Sequence, residues 1–271
     1  MNIILFLNRD LHSNFAYQLL KPSLKGHQVH IYLSESVGKK KEKAGALSLL
    51  EHYEKKQFYK LPLLLKEQKL HSDFEFFDDQ FAYAPLQVCK NVNSDEFITA
   101  VRKLKPDLFI SIRFGKIFHD EIIKVPGHGI LNLHSGILPD YRGILGTLHA
   151  LREGRKEIGC TLHYINNSSI DTGEIINIIK MPVVIGRSLF WHVNQLYPAG
   201  CAAIIRIINQ LNQGMEIPTV IQDLKVGNYY SLPDESHFAE LMDMGHDVIN
   251  EKDYSSFITQ HISSLIRGYY P

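Results

Sequence analysis

An α/β fold of Rossmann-like type, a mainly parallel sheet with helices on both faces and a small C-terminal appendage, is the architecture this 271-residue sequence predicts. Three observations predict it: a strand–helix–strand opening, a helix-then-strand unit around Pro106, and apolar strands that stop abruptly at polar residues. Met1 to Leu7 is a short apolar run rich in β-formers, ended by Asn8-Arg9-Asp10. Phe15, Leu19 and Leu20 then follow helical spacing, and Gln28 to Leu33 reads as a second strand. Glu42 to Lys56 again has helical character, whereas residues 61 to 80 form an irregular, charged connection without an assignment. Asp95 to Leu104 carries Phe97, Ile98, Val101 and Leu104 at helical spacing and stops before Pro106. Asp107 to Ile112 is a buried-strand candidate and Gly129 to Leu133 is the next.

Beyond these, Cys160 to Ile165 and Glu174 to Val184 read as two strands joined by the polar loop Asn166-Asn167-Ser168-Ser169. Ser188 to Leu211 is a long amphipathic helix, and after Gly214 short elements follow, ending in a helix near Tyr254 to Ile266. The expected division is a main domain over residues 1–214 and a small subdomain over 215–271. Parallel sheets place ligands beyond the carboxyl ends of their strands, so chemistry is expected after Leu7, Leu33, Ile112 and Leu133.

Composition narrows the class. Apolar residues at 45% and charged residues at 21% suit a folded, soluble chain. The 29 basic residues balance the 29 acidic ones, leaving no global positive field, so nucleic acid is not expected as a partner. The run Lys39-Lys40-Lys41 with Lys43 reads as a solvated face. Cys89, Cys160 and Cys201 form no CxxC pair and suggest neither a disulfide frame nor a zinc site; among the 14 histidines no ligand-spaced pair accompanies a carboxylate, so no metal is expected. No stretch approaches the ~20 apolar residues that span a bilayer, and residues 3 to 7 are too short for a secretory core. No membrane partner is expected, and the expected location is the cytoplasm.

The chemistry-bearing residues cluster after the strand at Gly129 to Leu133. Side chains alternate across a strand, so Asn132 and His134 project to the same side at its carboxyl end. An amide there can donate to a developing oxyanion, and an imidazole that titrates near neutrality can hold or give a proton. Alone, such an Asn-x-His pair at a strand end is most often structural or merely polar.

A longer pattern surrounds the pair. Asn132-Leu133-His134-Ser135-Gly136-Ile137-Leu138-Pro139-Asp140-Tyr141-Arg142-Gly143, followed 37 residues after His134 by Ile170-Asp171-Thr172-Gly173-Glu174-Ile175-Ile176, resembles the folate-dependent formyltransferase family. The likeness runs from about Pro106, including the turn Gly115-Lys116-Ile117-Phe118, to about Val184. The N-terminal unit agrees only in architecture, and the tail after residue 214 is loosely similar. The resemblance implies that Asn132, His134 and Asp171 form a catalytic trio. It also implies that 10-formyltetrahydrofolate is the co-substrate, its pterin lying against Lys116, Ile117 and Phe118 and the loop Asn167, Ser168, Ser169 and Ile170. For Phe118 a plain core role stays open, as does a turn-capping role for Asp171. A carboxylate near His134 is expected to favour its cation. Direct transfer through a tetrahedral intermediate, with no covalent enzyme intermediate, is the expected mechanism.

Within that family the acceptor is read from pattern. The loop Asn8-Arg9-Asp10-Leu11-His12 has no glycine with which to cradle phosphate, against glycinamide ribonucleotide as acceptor. Initiator-tRNA formyltransferases resemble the chain but add a basic barrel, and formyltetrahydrofolate hydrolases share the trio behind a regulatory domain, whereas here the first strand opens at residue 3. A non-catalytic folate- or nucleotide-binding module is the remaining rival class. The stretch from His134 to Pro139, with Thr161-Leu162-His163-Tyr164, is most similar to formyltransferases of nucleotide-linked amino deoxysugars, which implies a dTDP-, UDP- or GDP-sugar acceptor and a place in surface polysaccharide (O-antigen, lipopolysaccharide) synthesis. Tyr229 and Tyr230 are candidates for stacking on the base, Arg9 and Arg187 for meeting the diphosphate; Arg142 pins its loop or meets an anion, with pinning favoured. The Tyr- and Phe-rich composition leaves room for a homodimer.

Overall fold

The computed structural model describes residues 1–35, 44–77, 86–263 and 266–268. The lysine run at residues 39–41 and 43 lies outside them. β1 (Asn2–Asn8) leads through α1 (Leu11–Leu20) to β2 (Gln28–Ser34). Asp10 caps α1 by accepting from Ser13 N–H at 2.8 Å, which starts the helix directly beyond the strand end. α2 (Gly45–Glu51) runs on through a π-turn at His52–Gln57 and a 3-10 turn into α3 (Leu61–Glu67), and β3 (Leu70–Ser72) and β4 (Leu86–Val88) follow. Residues 61–67 are therefore helix and 70–72 strand rather than the irregular connection expected, while 73–77 are irregular and 78–80 lie outside the described residues: Pro62 starts a helix well, and its Leu and Lys residues continue one.

α4 (Asp95–Lys103), β5 (Leu108–Ile112), α5 (Asp120–Ile123) and β6 (Ile130–His134) come next. Ser94 caps α4, whose first turn is acidic and last turn basic, in keeping with the helix dipole. Then come β7 (Tyr141–Gly143), α6 (Gly146–Arg152), β8 (Glu157–Tyr164), β9 (Ile175–Pro182) and α7 (Leu189–Asn212), the last capped by Ser188. The tail supplies β10 (Asn228–Tyr230), α8 (Glu235–Asp243), α9 (Glu251–His261) and β11 (Ile266–Gly268). The final helix thus stops before Ile266, whose backbone instead pairs antiparallel with Ser72.

Seven strands form one sheet in the order β4-β2-β1-β5-β6-β8-β9, parallel throughout except for the β6–β8 and β8–β9 pairs. In β1, Ile3, Leu5 and Leu7 join the core under α1 and α7, while Ile4 and Phe6 join a second core with Phe109, Phe118 and Ile130. A strand buried on both faces must be apolar at every position, which is why Met1 to Leu7 shows no alternation. Chain order reverses between β1 and β5, and the carboxyl ends of β1, β5 and β6 open there. The tail is joined to the body: Phe238, Leu241, Val248, Ile249 and Phe257 belong to the first core, and β10 pairs with β7.

Candidate active site

β6 delivers Asn132 and His134 to one side of the sheet end, and both line a cavity of about 750 Å³. Across the antiparallel β6–β8 pair, Asn132 faces His163. The Asn132 amide donates to His163 Nε2 at 3.0 Å, while His163 Nδ1 donates to the Tyr164 carbonyl at 2.8 Å. This fixes the amide and the ring together. The sequence pattern did not single out His163 as a site residue; strand alternation on β8, set against Asn132, is the signal that finds it.

Asp171 arrives from the loop between β8 and β9 in a left-handed backbone conformation, φ 55°, which aspartate tolerates better than most residues. Gln222 holds this loop by donating to the carbonyls of Asp171 at 3.0 Å and Gly173 at 2.6 Å. A Cβ on Gly173 would overlap the Tyr164 carbonyl, so the Asp-Thr-Gly turn closes against β8 only with glycine in that place. One carboxylate oxygen of Asp171 lies 3.4 Å from His134 Nδ1 and accepts the Gly143 N–H at 2.8 Å. The other lies 3.4 Å from His163 Nε2 and 3.5 Å from the Asn132 amide. Burial alone would push this carboxyl up; His134, His163 and the Gly143 N–H overcome it and hold it down at about 2. His134 Nε2 donates to the Tyr141 carbonyl at 2.6 Å, so Nδ1 is the ring nitrogen that faces Asp171.

The cavity wall also contains every residue expected along the pterin: Lys116, Ile117, Phe118, Asn167, Ser168, Ser169 and Ile170. Phe118 has a double position, since its ring packs edge-on to Phe6 at 5.0 Å and is 3% exposed. Its side chain is core and its backbone is wall. The Ile117 carbonyl accepts from the Asn93 amide at 2.9 Å, and the Asn167 side chain accepts from Ser169 N–H at 2.8 Å, so both loops are fixed by their own hydrogen bonds.

The residues expected at the acceptor divide. Tyr229 lines the cavity and is 54% exposed. Tyr230 stacks on His149 at 3.8 Å and donates to Glu153 at 2.8 Å, on the opposite face of β10, because successive strand residues alternate. Arg9 lies with its guanidinium 4.5 Å over the Tyr59 ring and Arg187 pairs with Asp253 at 2.7 Å; neither lines the cavity. The expected pin at Arg142 is also absent: its guanidinium makes no hydrogen bond or ion pair to a described residue, and Nε is buried without a partner. Tyr141 does that work instead, donating to Glu153 and accepting from Arg155, both at 2.8 Å.

The sequence model of the formyl transferase family matches residues 1–206. The chain belongs to the formyl transferase family. It is 27% identical over 191 residues to a methionyl-tRNA formyltransferase of Alkaliphilus metalliredigens, a match covering 70% of this chain and 54% of that protein. The chain thus spans about half the length of the curated relatives it matches. In fold it is similar to the N-formyltransferase of Helicobacter canadensis, solved with folinic acid and dTDP-3-aminofucose, with a TM-score of 0.57, 17% identity and coverage of 93% and 82% of the two chains. A sugar N-formyltransferase from a Shewanella species gives a TM-score of 0.55, 17% identity and coverage of 88% and 78%.

In this formyl transferase chain the loop after β1 holds charge where a glycine loop would hold phosphate. Asp10 pairs with Arg113 Nε at 2.9 Å, Glu54 pairs with the same guanidinium at 2.8 Å, and His12 Nδ1 lies 3.1 Å from Glu54. Asn8, Glu54 and Arg113 reach the cavity wall. Burial pushes the Asp10 carboxyl up, but Arg113, His12 and the Ser13 N–H reverse this and leave it below its usual range. Two carboxylates against one guanidinium oppose an anion at that end. Nothing local in the sequence announces this cluster, because Glu54 comes from the π-turn and Arg113 from the end of β5. None of the cysteines lines the cavity, and burial pushes the Cys89 and Cys160 thiols up to about 11 and about 12. Among the described residues no group of three His, Cys, Asp or Glu could hold a metal, and no helix is long and apolar enough to cross a membrane.

Proposed function

We propose that the chain transfers a formyl group from 10-formyltetrahydrofolate to the amino group of a nucleotide-linked amino deoxysugar. The observation that carries the reading is the meeting of Asn132, His134 and Asp171 in a cavity that residues 116–118 and 167–170 also line. That cavity suits a flat heteroaromatic co-substrate: loop backbone offers paired donors and acceptors at its edge, and 750 Å³ accommodates a ring system with a second small molecule beside it.

The acceptor's neutral amine adds to the formyl carbon of the co-substrate. Asn132, steadied by His163, donates to the oxygen that becomes negative as nitrogen adds, and His134, as the imidazolium with both ring nitrogens protonated, donates to it through Nδ1. Asp171 remains ionised and holds His134 and Asn132 in register; a carboxylate held at about 2 is a weak proton acceptor, so the amine's proton leaves through water that Asp171 orients. As the bond from the formyl carbon to N10 breaks, that proton is delivered through the water to N10, and collapse of the tetrahedral species releases neutral tetrahydrofolate. A thiol is not needed, and the raised pKa values of Cys89 and Cys160 disfavour one.

For the acceptor, the acidic cluster at Asp10 and Glu54 disfavours a phosphate at the end of β1, and fold similarity over 93% of the chain to an enzyme solved with dTDP-3-aminofucose favours a nucleotide sugar. A role in surface polysaccharide synthesis in the cytoplasm follows from that acceptor. The second reading is transfer to initiator tRNA, favoured by likeness to methionyl-tRNA formyltransferases. The purified protein is incubated with 10-formyltetrahydrofolate and, separately, dTDP-, UDP- and GDP-linked amino deoxysugars, charged initiator tRNA, or no amine. The expected result is a one-formyl mass gain on a nucleotide sugar. Gain on tRNA alone, or formate release without any amine, overturns the acceptor assignment.

A further inference from the structure

We infer that Arg142 is the binding residue for the acceptor's diphosphate, with Tyr229 beside it as the platform for the base; the inference rests on the nucleotide-sugar reading above. β7 and β10 pair in parallel with Arg142 opposite Tyr229, so these two side chains leave the ribbon on the same face. Tyr229 lines the cavity and is 54% exposed, and Arg142 stands beside that wall without itself lining it. The other face is occupied: Tyr141 and Tyr230 stack there at 5.9 Å and both donate to Glu153.

Arg142 has an unmet demand. Its Nε is buried without a partner, and no carboxylate or carbonyl among the described residues engages the guanidinium. A buried donor left unpaired is costly, and a bound anion would pair it. A guanidinium also matches phosphate oxygens two at a time. The lysines and arginines that line the cavity are committed elsewhere or stand at the other end. Lys55 donates to the Glu35 carbonyl at 2.8 Å, Arg113 is held between Asp10 and Glu54, and Lys116 belongs to the wall beside the pterin.

Position relative to the chemistry agrees. Arg142 directly precedes Gly143, whose N–H is bound to Asp171 at 2.8 Å. A diphosphate on Arg142 would lie on the face that also carries the exposed ring of Tyr229, where the base can stack. The acidic end at Asp10 and Glu54 would turn the diphosphate away from the opposite wall.

The test is calorimetric titration of the full chain with dTDP, UDP and GDP, repeated on Arg142→Ala, Arg142→Gln and Arg142→Lys. Binding of 5-formyltetrahydrofolate and the melting temperature are followed in parallel. Wild type should bind at least one nucleoside diphosphate. Arg142→Ala and Arg142→Gln should weaken it at least tenfold, and Arg142→Lys should fall between, with folate binding and melting unchanged. Equal diphosphate affinity in wild type and Arg142→Gln overturns the role of Arg142 and leaves the acceptor reading standing. Loss of folate binding together with diphosphate binding makes Arg142 structural and also overturns it. If wild type binds none of the three, the acceptor reading fails and the assignment with it.

Discussion

Asp171 and Gly143 are joined by a 2.8 Å hydrogen bond from backbone N–H to carboxylate, which ties the loop after β8 to the strand β7 and sets the carboxylate 3.4 Å from His134. Gly143 itself has φ 97°, and a Cβ there would overlap the Tyr230 carbonyl. Gly143→Ala is therefore expected to lower stability by at least about 2 kcal/mol, through left-handed strain and the clash with β10. Urea unfolding measures it; a midpoint equal to wild type would show that β7 and β10 are not locked as described.

His163 positions rather than reacts. Its Nε2 accepts from the Asn132 amide, so His163→Ala frees that amide to turn away from the developing oxyanion. The expectation is a fall in kcat of about ten- to a hundredfold with the KM for folate little changed, in line with loss of one oriented donor. A rise in KM with kcat preserved would assign His163 to binding instead.

Two histidines make the native state sensitive to mild acid. Burial, with Arg152 and His237 adding to it, lowers His149 to about 4; burial, opposed by the Ser188 carbonyl and reinforced by His246, lowers His192 to about 4. The unfolded chain takes up these protons near pH 6.5 and the native chain does not, so stability is full above about pH 6.5 and declines toward pH 4. The urea midpoint should fall across that window. Asp171, held at about 2, contributes stability that is full above about pH 4 and is lost as pH falls toward 2. A flat midpoint from pH 6.5 to 4.5 would contradict the burial of both rings.

Thiol chemistry offers an independent check. Cys89, Cys160 and Cys201 are buried and burial raises all three thiols. The native protein should resist a thiol-disulfide reagent at pH 8 and keep its transfer rate, while the urea-unfolded chain reacts at each cysteine. Rapid inactivation of the native protein would point to a cysteine in the reaction.

The sheet was legible because its strands are short apolar runs with clear stops, and the paired site residues because two-residue alternation fixes the side that Asn132 and His134 share. Elements held by tertiary contacts were not legible. β4 and β7 are three residues long and exist by pairing with β2 and β10, and residues 61–77 carried a charged helix that pattern did not distinguish from a loop. At the site, His163 required knowing that β8 runs antiparallel beside β6, and the Asp10–Arg113–Glu54 cluster required three remote segments to be brought together. For Arg142 the sequence leaves a loop pin and an anion contact as alternatives; that its Nε is buried without a partner is visible only in three dimensions.

The central claim is that Asn132, His134 and Asp171 act together on one formyl carbon, and single-turnover transfer from 10-formyltetrahydrofolate by wild type, His134→Ala and Asp171→Asn tests it most directly. Both variants should bind 5-formyltetrahydrofolate as wild type does and transfer at least about a hundredfold more slowly, as expected for groups that act at the transition state. Transfer by either variant at a rate close to wild type would contradict the account.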